Sequence, residues 1–358
     1  MVKVTQRVRY PPFEADRLIP AALPVAESTY EVEGDIAPPF KVGNEDGWLI
    51  ERVVEGNEYN LEFHGEEPAI IKQQRTGWYL LPHPIHSQAR KYINGSVIVL
   101  LLCLFYLFTA PLQDSIGIPV FGTGKVRLGM LDYPALALIV VPFMLTPIAL
   151  RIGANLGDLK RQNTFLNSAP IQPTINLDDI ISGEALKGKI TLPETRDDWM
   201  DITITWRCGI LSPARHKVFA ALGKDVNSQP PPGLTTPLPH HWEKGLDDGT
   251  GMGEDAPMQR DDIPGGVFLR PMRIMSSGGS EKMTLEGGEF TLESPDGDWP
   301  GSLYCGLIRV HWELILLIRR QKGGPLLWVS PLEVKHPDSE VVNPNLIISD
   351  GRSESDSL

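Results

Sequence analysis

Two uncharged apolar stretches set the first limit on what this chain can fold into. Residues 93–112 read INGSVIVLLLCLFYLFTAPL and residues 133–150 read YPALALIVVPFMLTPIAL, with no charged side chain in either. A bilayer core of roughly 30 Å takes about 20 helical residues, so both lengths fit a crossing. The Leu, Ile, Val and Phe side chains of the first favour insertion. The second is interrupted by Pro142 and Pro147, which transmembrane helices tolerate as kinks. The pair predicts a transmembrane hairpin over residues 93–150 and a multi-pass protein of the cell membrane, with the lipid bilayer as its first partner. Arg90 and Lys91 precede the first span, and Arg151, Lys160 and Arg161 follow the second. The loop between holds Lys125 and Arg127, offset by Asp114 and Asp132. The cation excess outside the hairpin predicts that both termini face the cytoplasm. The loop sequence GTGKVRLG is no phosphate-binding loop, because Pro119 and Val126 stand where that motif needs a glycine and a Ser or Thr.

Outside the hairpin the chain is polar and punctuated by 32 prolines and 34 glycines, which favours short strands over long soluble helices. A formal net charge of −12 excludes a nucleic-acid partner, which needs a basic surface. Cys103, Cys208 and Cys305 are scattered, giving neither a zinc knuckle nor a disulfide framework. Lys3, Arg7 and Arg9 lead into Pro11 and Pro12 rather than an apolar run, so no signal peptide is expected here.

Residues 1–46, rich in proline and acid, are expected to be extended or disordered. Residues 47–92 carry alternation at Tyr59, Leu61 and Phe63 and predict a small β segment, marginal alone and in need of something to pack on. Residues 151–337 hold many short strand runs between Gly/Pro turns, the pattern of a β-sandwich. They are broken by residues 223–266, a Pro/Gly-rich stretch read as a flexible insertion. The tail, residues 338–358, is acidic and serine-rich and is expected to be disordered. In the strongest strand run Ile308, Val310, Trp312 and Leu314 form one apolar face. Arg309, His311 and Glu313 form the other, which alternation assigns to solvent.

The order of these features resembles the arrestin-like, immunoglobulin-like β-sandwich. A glycine before a Phe strand ending in proline, a Pro-x-Ser turn and a long strand with spaced Gly, Ile and Trp are matched by Gly288, Phe290, Pro295, Pro300, Ser302, Gly306, Ile308 and Trp312. The resemblance covers about residues 165–337, and a two-span hairpin ahead of such a sandwich is similar to certain prokaryotic membrane proteins. The chain has material for one sandwich where eukaryotic arrestins have two, and its sequence shows no buried-charge cluster. The resemblance implies a mainly β fold and a tendency toward protein–protein contact.

Candidate chemistry is sparse. His83 with His86, and His240 with His241, sit among prolines without local cysteine or carboxylate, so no metal or other cofactor is expected. Cys208 and Cys305 fall on strand runs where they could meet across the sandwich, reduced in a cytoplasmic setting. There is no Gly-x-Ser-x-Gly elbow, and the paired acids at 197–198, 247–248 and 261–262 lie in turns or the insertion. The leading expectation is a non-enzymatic membrane adaptor or scaffold, binding another protein or itself. Trp242 in the insertion and Trp328, Val329, Leu332 and Val334 in the closing strand are its contact candidates. The alternative is an accessory subunit of a membrane enzyme or transporter, with a site at the membrane face using His83 and His86.

Overall fold

The structure is a computed structural model that describes residues 1–11, 15–56, 59–60, 65–66, 76–81, 85–122, 124–213, 215–225, 269 and 272–348. Its strands are β1 (Val2–Arg9), β2 (Ala26–Val32), β3 (Phe40–Gly43), β4 (Leu49–Val54), β5 (Gly65–Glu66), β6 (Gly77–Leu80), β7 (Lys125–Leu128), β8 (Leu131–Pro134), β9 (Thr174–Leu177), β10 (Leu186–Thr191), β11 (Trp199–Ile210), β12 (Ile274–Met283), β13 (Gly287–Leu292), β14 (Leu303–Tyr304), β15 (Arg309–Arg320), β16 (Leu326–Leu332) and β17 (Val341–Asn343). Helices α1 (Ile85–Ser115) and α2 (Ala135–Asn167) flank the β7–β8 hairpin, and a short α3 (Arg215–Ala221) follows β11. The chain is mainly β, and it divides into two units: Met1–Pro82 with Ser168–Leu358, and His83–Asn167.

The second unit is the helical hairpin. Both helices are long and apolar enough to cross a membrane, over Tyr92–Ser115 and Val140–Asn167. Large side chains such as Leu101, Phe105, Phe108 and Leu145 stand exposed on them. α1 outruns the segment 93–112 at both ends, whereas α2 starts after Tyr133 and Pro134, which belong to β8, and runs on past residue 150 through its polar flank. At 31 and 33 residues they are about 46 and 50 Å long at 1.5 Å per residue.

The first unit is organised around β15. This strand pairs antiparallel with β11 on one side, and with β14 and then β16 on the other. β12 extends the sheet beyond β11 and β6 beyond β16, while β5 adds in parallel to β14. Arg309 through Leu316 are all buried, so both faces of β15 are covered. One face carries Trp206 and Cys208 of β11 with Trp312 and Leu314 of β15, and the two indoles lie 5.1 Å apart. Trp206 Nε1 donates to Glu293 O and Trp312 Nε1 to Pro300 O, tying this face to the chain that follows β13. β13, β10 and β9 form a separate three-stranded sheet whose buried residues include Leu186, Ile190, Phe290 and Leu292. The hairpin from β12 to β13 joins the two sheets at Gly287, where φ is +95° and a Cβ would stand 2.2 Å from Ile190 O. The other face of β15 carries Ile315, packed with Tyr79, Leu81, Leu269, Leu327 and Val329. Met272 crosses it over Gly209, where a Cβ would meet the Met272 sulfur at 2.5 Å.

The N-terminal region departs most from expectation. Residues 1–46 supply β1, β2 and β3, which join β4 and β17 in a five-stranded sheet of order β17-β3-β4-β1-β2. The alternation of Val2, Val4, Gln6 and Val8 with Lys3, Thr5 and Arg7 is the physical reason β1 forms. Strands of residues 47–92 do not make a unit of their own: β4 joins this sheet, while β5 and β6 join the seven-stranded one. The tail is likewise structured at β17, where Val341 is buried and pairs in parallel with Phe40 of β3. The insertion at 223–266 lies outside the described residues from position 226 on.

The chain returns from α2 through residues 168–172, which are pinned within the β unit. Arg196 donates to Ser168 O, Ile171 N donates to Glu194, and the indoles of Trp78 and Trp328 donate to Ile171 O and Gln172 Oε1. Trp78 immediately follows Gly77 at the start of β6, so the strand leading toward α1 and the segment leaving α2 are held together. Deleting residues 1–46 removes three strands of one sheet and leaves β4 and β17 without their neighbours. The truncated protein is expected to lose its cooperative thermal transition by near-ultraviolet circular dichroism; an unchanged transition would show that these strands are not part of the folded unit.

Candidate functional site

The polar face of β15 is not a solvent face. Arg309, His311 and Glu313 are at most 2% exposed, because that side of the sheet is roofed over rather than open. The β11–β15 register sets Arg207 directly opposite Glu313. Arg207 Nε and Nη2 both stand 2.6 Å from Glu313 Oε1. Glu313 Oε2 lies 3.0 Å from His311 Nε2, and His311 Nδ1 meets the Tyr304 hydroxyl. Glu313 thus meets the Arg207 guanidinium through one carboxylate oxygen and the His311 ring through the other. Arg309 Nη1 donates to Ser212 O, and Tyr304 joins an apolar cluster with Leu211, Met272 and Met275. The four side chains are linked to one another inside the sheet, which suits fixing register.

A second polar joint connects the five-stranded sheet to the turn at residues 305–308. That turn is closed by paired backbone bonds between Cys305 and Ile308. Gln6 Oε1 accepts from Leu307 N at 2.7 Å, while Gln6 Nε2 donates to the Tyr30 hydroxyl and to Cys305 Sγ. Arg52 donates to the same hydroxyl at 3.1 Å and to Ala37 O. Cys208 and Cys305 are buried thiols in different surroundings, the first beside Trp312 in the sheet and the second against Gln6. Burial pushes the Cys208 thiol well above its ordinary range.

This joint positions a half-enclosed groove of about 570 Å³. Residues 27–31 of β2 form one wall, Lys217, Ala220 and Ala221 of α3 form another, and Gly306 and Leu307 complete the lining. β2 is the last strand of its sheet, and among the described residues no strand pairs with its outer edge. Such an edge presents backbone N–H and C=O groups to whatever lies beside it. Glu27, Thr29 and Glu31 point to the exposed side of β2, and Ser28 and Tyr30 to the half-buried side.

The cations nearest those acids are engaged elsewhere. Arg7, opposite Glu27, bonds Glu45 at 2.8 Å and Glu51 at 2.5 Å but approaches Glu27 only to 3.9 Å. Lys3, opposite Glu31, bonds Glu55. Lys41 bonds Glu45 and Glu51 at 3.0 and 3.1 Å. Hydrogen bonds from Arg7 and then Lys41 pull the Glu45 carboxyl down to about 2.

The contact candidates read from the sequence do not reach this surface. Trp328, Val329, Leu332 and Val334 are buried, at 5% exposure or less, so they hold the core and offer no area to a partner. Trp328 and Val329 lie where β16 pairs with both β15 and β6, Leu332 pairs with β15, and Val334 follows the strand. Trp242, His83, His240 and His241 lie outside the described residues; His86 lies in α1, and its side chain is not described. Among the described residues no group of three or more His, Cys, Asp or Glu is placed to hold a metal ion. The groove was missed because its parts, residues 27–31, 217–221 and 306–307, are far apart in the chain. The alternation AESTYEV of β2 was the one local signal for it. Compared with models of known protein families and with curated proteins, the chain matches none.

Two measurements follow from the charges. Glu313→Gln strands Arg207 in the interior and is expected to cost about 3–5 kcal/mol in denaturant unfolding. The double change Arg207→Met with Glu313→Leu is expected to recover most of that loss, and equal loss in both variants would contradict the pairing. Glu45 has its folded value below the ordinary 4.5, so its contribution is present above pH 4.5 and is lost as pH falls toward 2. Because the side chain is half exposed, Glu45→Gln should flatten this acid limb by about 0.5 kcal/mol or less, read from unfolding midpoints between pH 5 and pH 2.5.

Proposed function

We propose that the protein is a membrane-anchored, non-enzymatic adaptor that holds a protein segment in the groove beside β2. The observation that carries this reading is the juxtaposition of an edge strand with a half-enclosed groove lined by Ala220, Ala221 and Leu307. Edge strands are a common docking point for extended peptides, since main-chain bonds supply affinity and side pockets supply choice. A seven-stranded and a three-stranded antiparallel-rich sheet joined by the β12–β13 hairpin support reading the scaffold as an arrestin-like sandwich, extended by the N-terminal sheet. Two spans return the chain to its starting side, and the cations at Arg90, Lys91, Arg151, Lys160 and Arg161 support a cytoplasmic placement of both termini in the cell membrane.

Placing a photo-crosslinking amino acid at Thr29, on the groove strand, tests the reading in intact cells. Met200 is an exposed position on β11, away from the groove lining, and serves as the control. A discrete adduct from position 29 and none from position 200 is expected. The same adducts from both positions, or none from position 29, would remove the groove from function.

A further inference from the structure

We infer that the occupant of the groove is an extended peptide with two cationic side chains four residues apart, enclosing two apolar ones in the pattern basic–apolar–any–apolar–basic. This inference rests on the adaptor reading and adds the chemistry of the partner. A strand laid antiparallel along the outer edge of β2 places its alternate side chains on opposite faces. Three of its residues then stand across from Glu27, Thr29 and Glu31, and the two between them stand across from Ser28 and Tyr30.

The first three face an acidic wall whose own cations bond more closely to other carboxylates: Arg7 to Glu45 and Glu51, and Lys3 to Glu55. Opposite charges directly across a strand pair are favourable and like charges are not. The places opposite Glu27 and Glu31 therefore select Lys or Arg, and the place opposite Thr29 accepts a small or hydroxyl residue. Lys217 is the single cation in the groove lining, against two acids, so the wall stays net acidic. The remaining two side chains point to the half-buried side of β2, where Leu307, Ala220 and Ala221 line the groove and apolar groups leave water. The same acidic wall disfavours phosphate-rich ligands and acidic peptides.

The test is selection from a displayed library of nine-residue peptides against the full-length protein in lipid nanodiscs, followed by fluorescence anisotropy with the best synthetic peptide. Enriched peptides are expected to carry Lys or Arg at positions i and i+4 with apolar residues at i+1 and i+3. Reversal of both acids, Glu27→Lys with Glu31→Lys, is expected to weaken binding by about tenfold or more, and a peptide with Glu at i and i+4 to regain it. Should the reversal variant lose its thermal transition, Glu27→Gln with Glu31→Gln replaces it, with a smaller loss expected in the same direction. Ala220→Trp fills the groove and should abolish binding. Peptides blocked by Ala220→Trp but lacking the basic pair and indifferent to the reversal would overturn the inference and leave the adaptor reading standing. No enriched peptide, or binding untouched by Ala220→Trp, would overturn both. A concentration-dependent dimer abolished by Ala220→Trp would make the occupant a second copy and also overturn the inference.

Discussion

Burial of both faces of the 309–320 strand is the constraint on which the rest of the β unit depends. A strand covered on one side can leave its alternate residues polar and wet. Here Trp312 and Leu314 fill one side, and Arg309, His311 and Glu313 are enclosed on the other. An isolated carboxylate in such a place is prohibitively costly, so it must meet a cation and have its remaining oxygen bonded. The register with β11 supplies Arg207 at the right position, and His311 and Tyr304 complete the set. A shift of one residue would turn Glu313 toward the tryptophans, so the charge pair acts as a register lock.

The start of the same strand leads to the groove. β14 pairs with the start of β15 across the turn at 305–308, and Gln6 grips that turn through Leu307 N and Cys305 Sγ. Gln6 lies on β1, whose neighbour β2 forms the groove wall. Three segments distant in sequence, 27–31, 217–221 and 306–307, are thereby brought to one place. The helical hairpin interrupts this β unit between β6 and β9 without dividing it. Its return segment is stapled to Trp78 and Trp328, so the sheet strands before and after the hairpin stay joined.

The sequence was most legible where chemistry is local. The two apolar helices, the strand run through Val310, Trp312 and Leu314, and the mainly β character follow from hydropathy and period-two spacing. It was least legible where composition and environment disagree. Proline and acid in residues 1–46 suggested disorder, yet the short alternations of β1 and β2 sufficed once β4 and the Gln6 joint were available to pair with. Arg309, His311 and Glu313 carry the pattern of a solvent face, and no local rule reveals that a roof of residues near Met272 and Leu211 covers them. Trp328, Val329, Leu332 and Val334 were expected at a contact surface. The pairing of Trp328 and Val329 with β6, from before the hairpin, is a long-range event that spacing cannot encode.

The openness of the β2 edge is the central claim, and residue-resolved hydrogen exchange on the full-length protein in nanodiscs tests it most directly. An edge strand bonded only to β1 has alternate amides protected and alternate amides exposed. Slow and fast exchange alternating along residues 26–32 is the predicted result. Uniform protection would mean that the edge is already covered, and uniformly fast exchange that the strand is not formed; either would contradict the account.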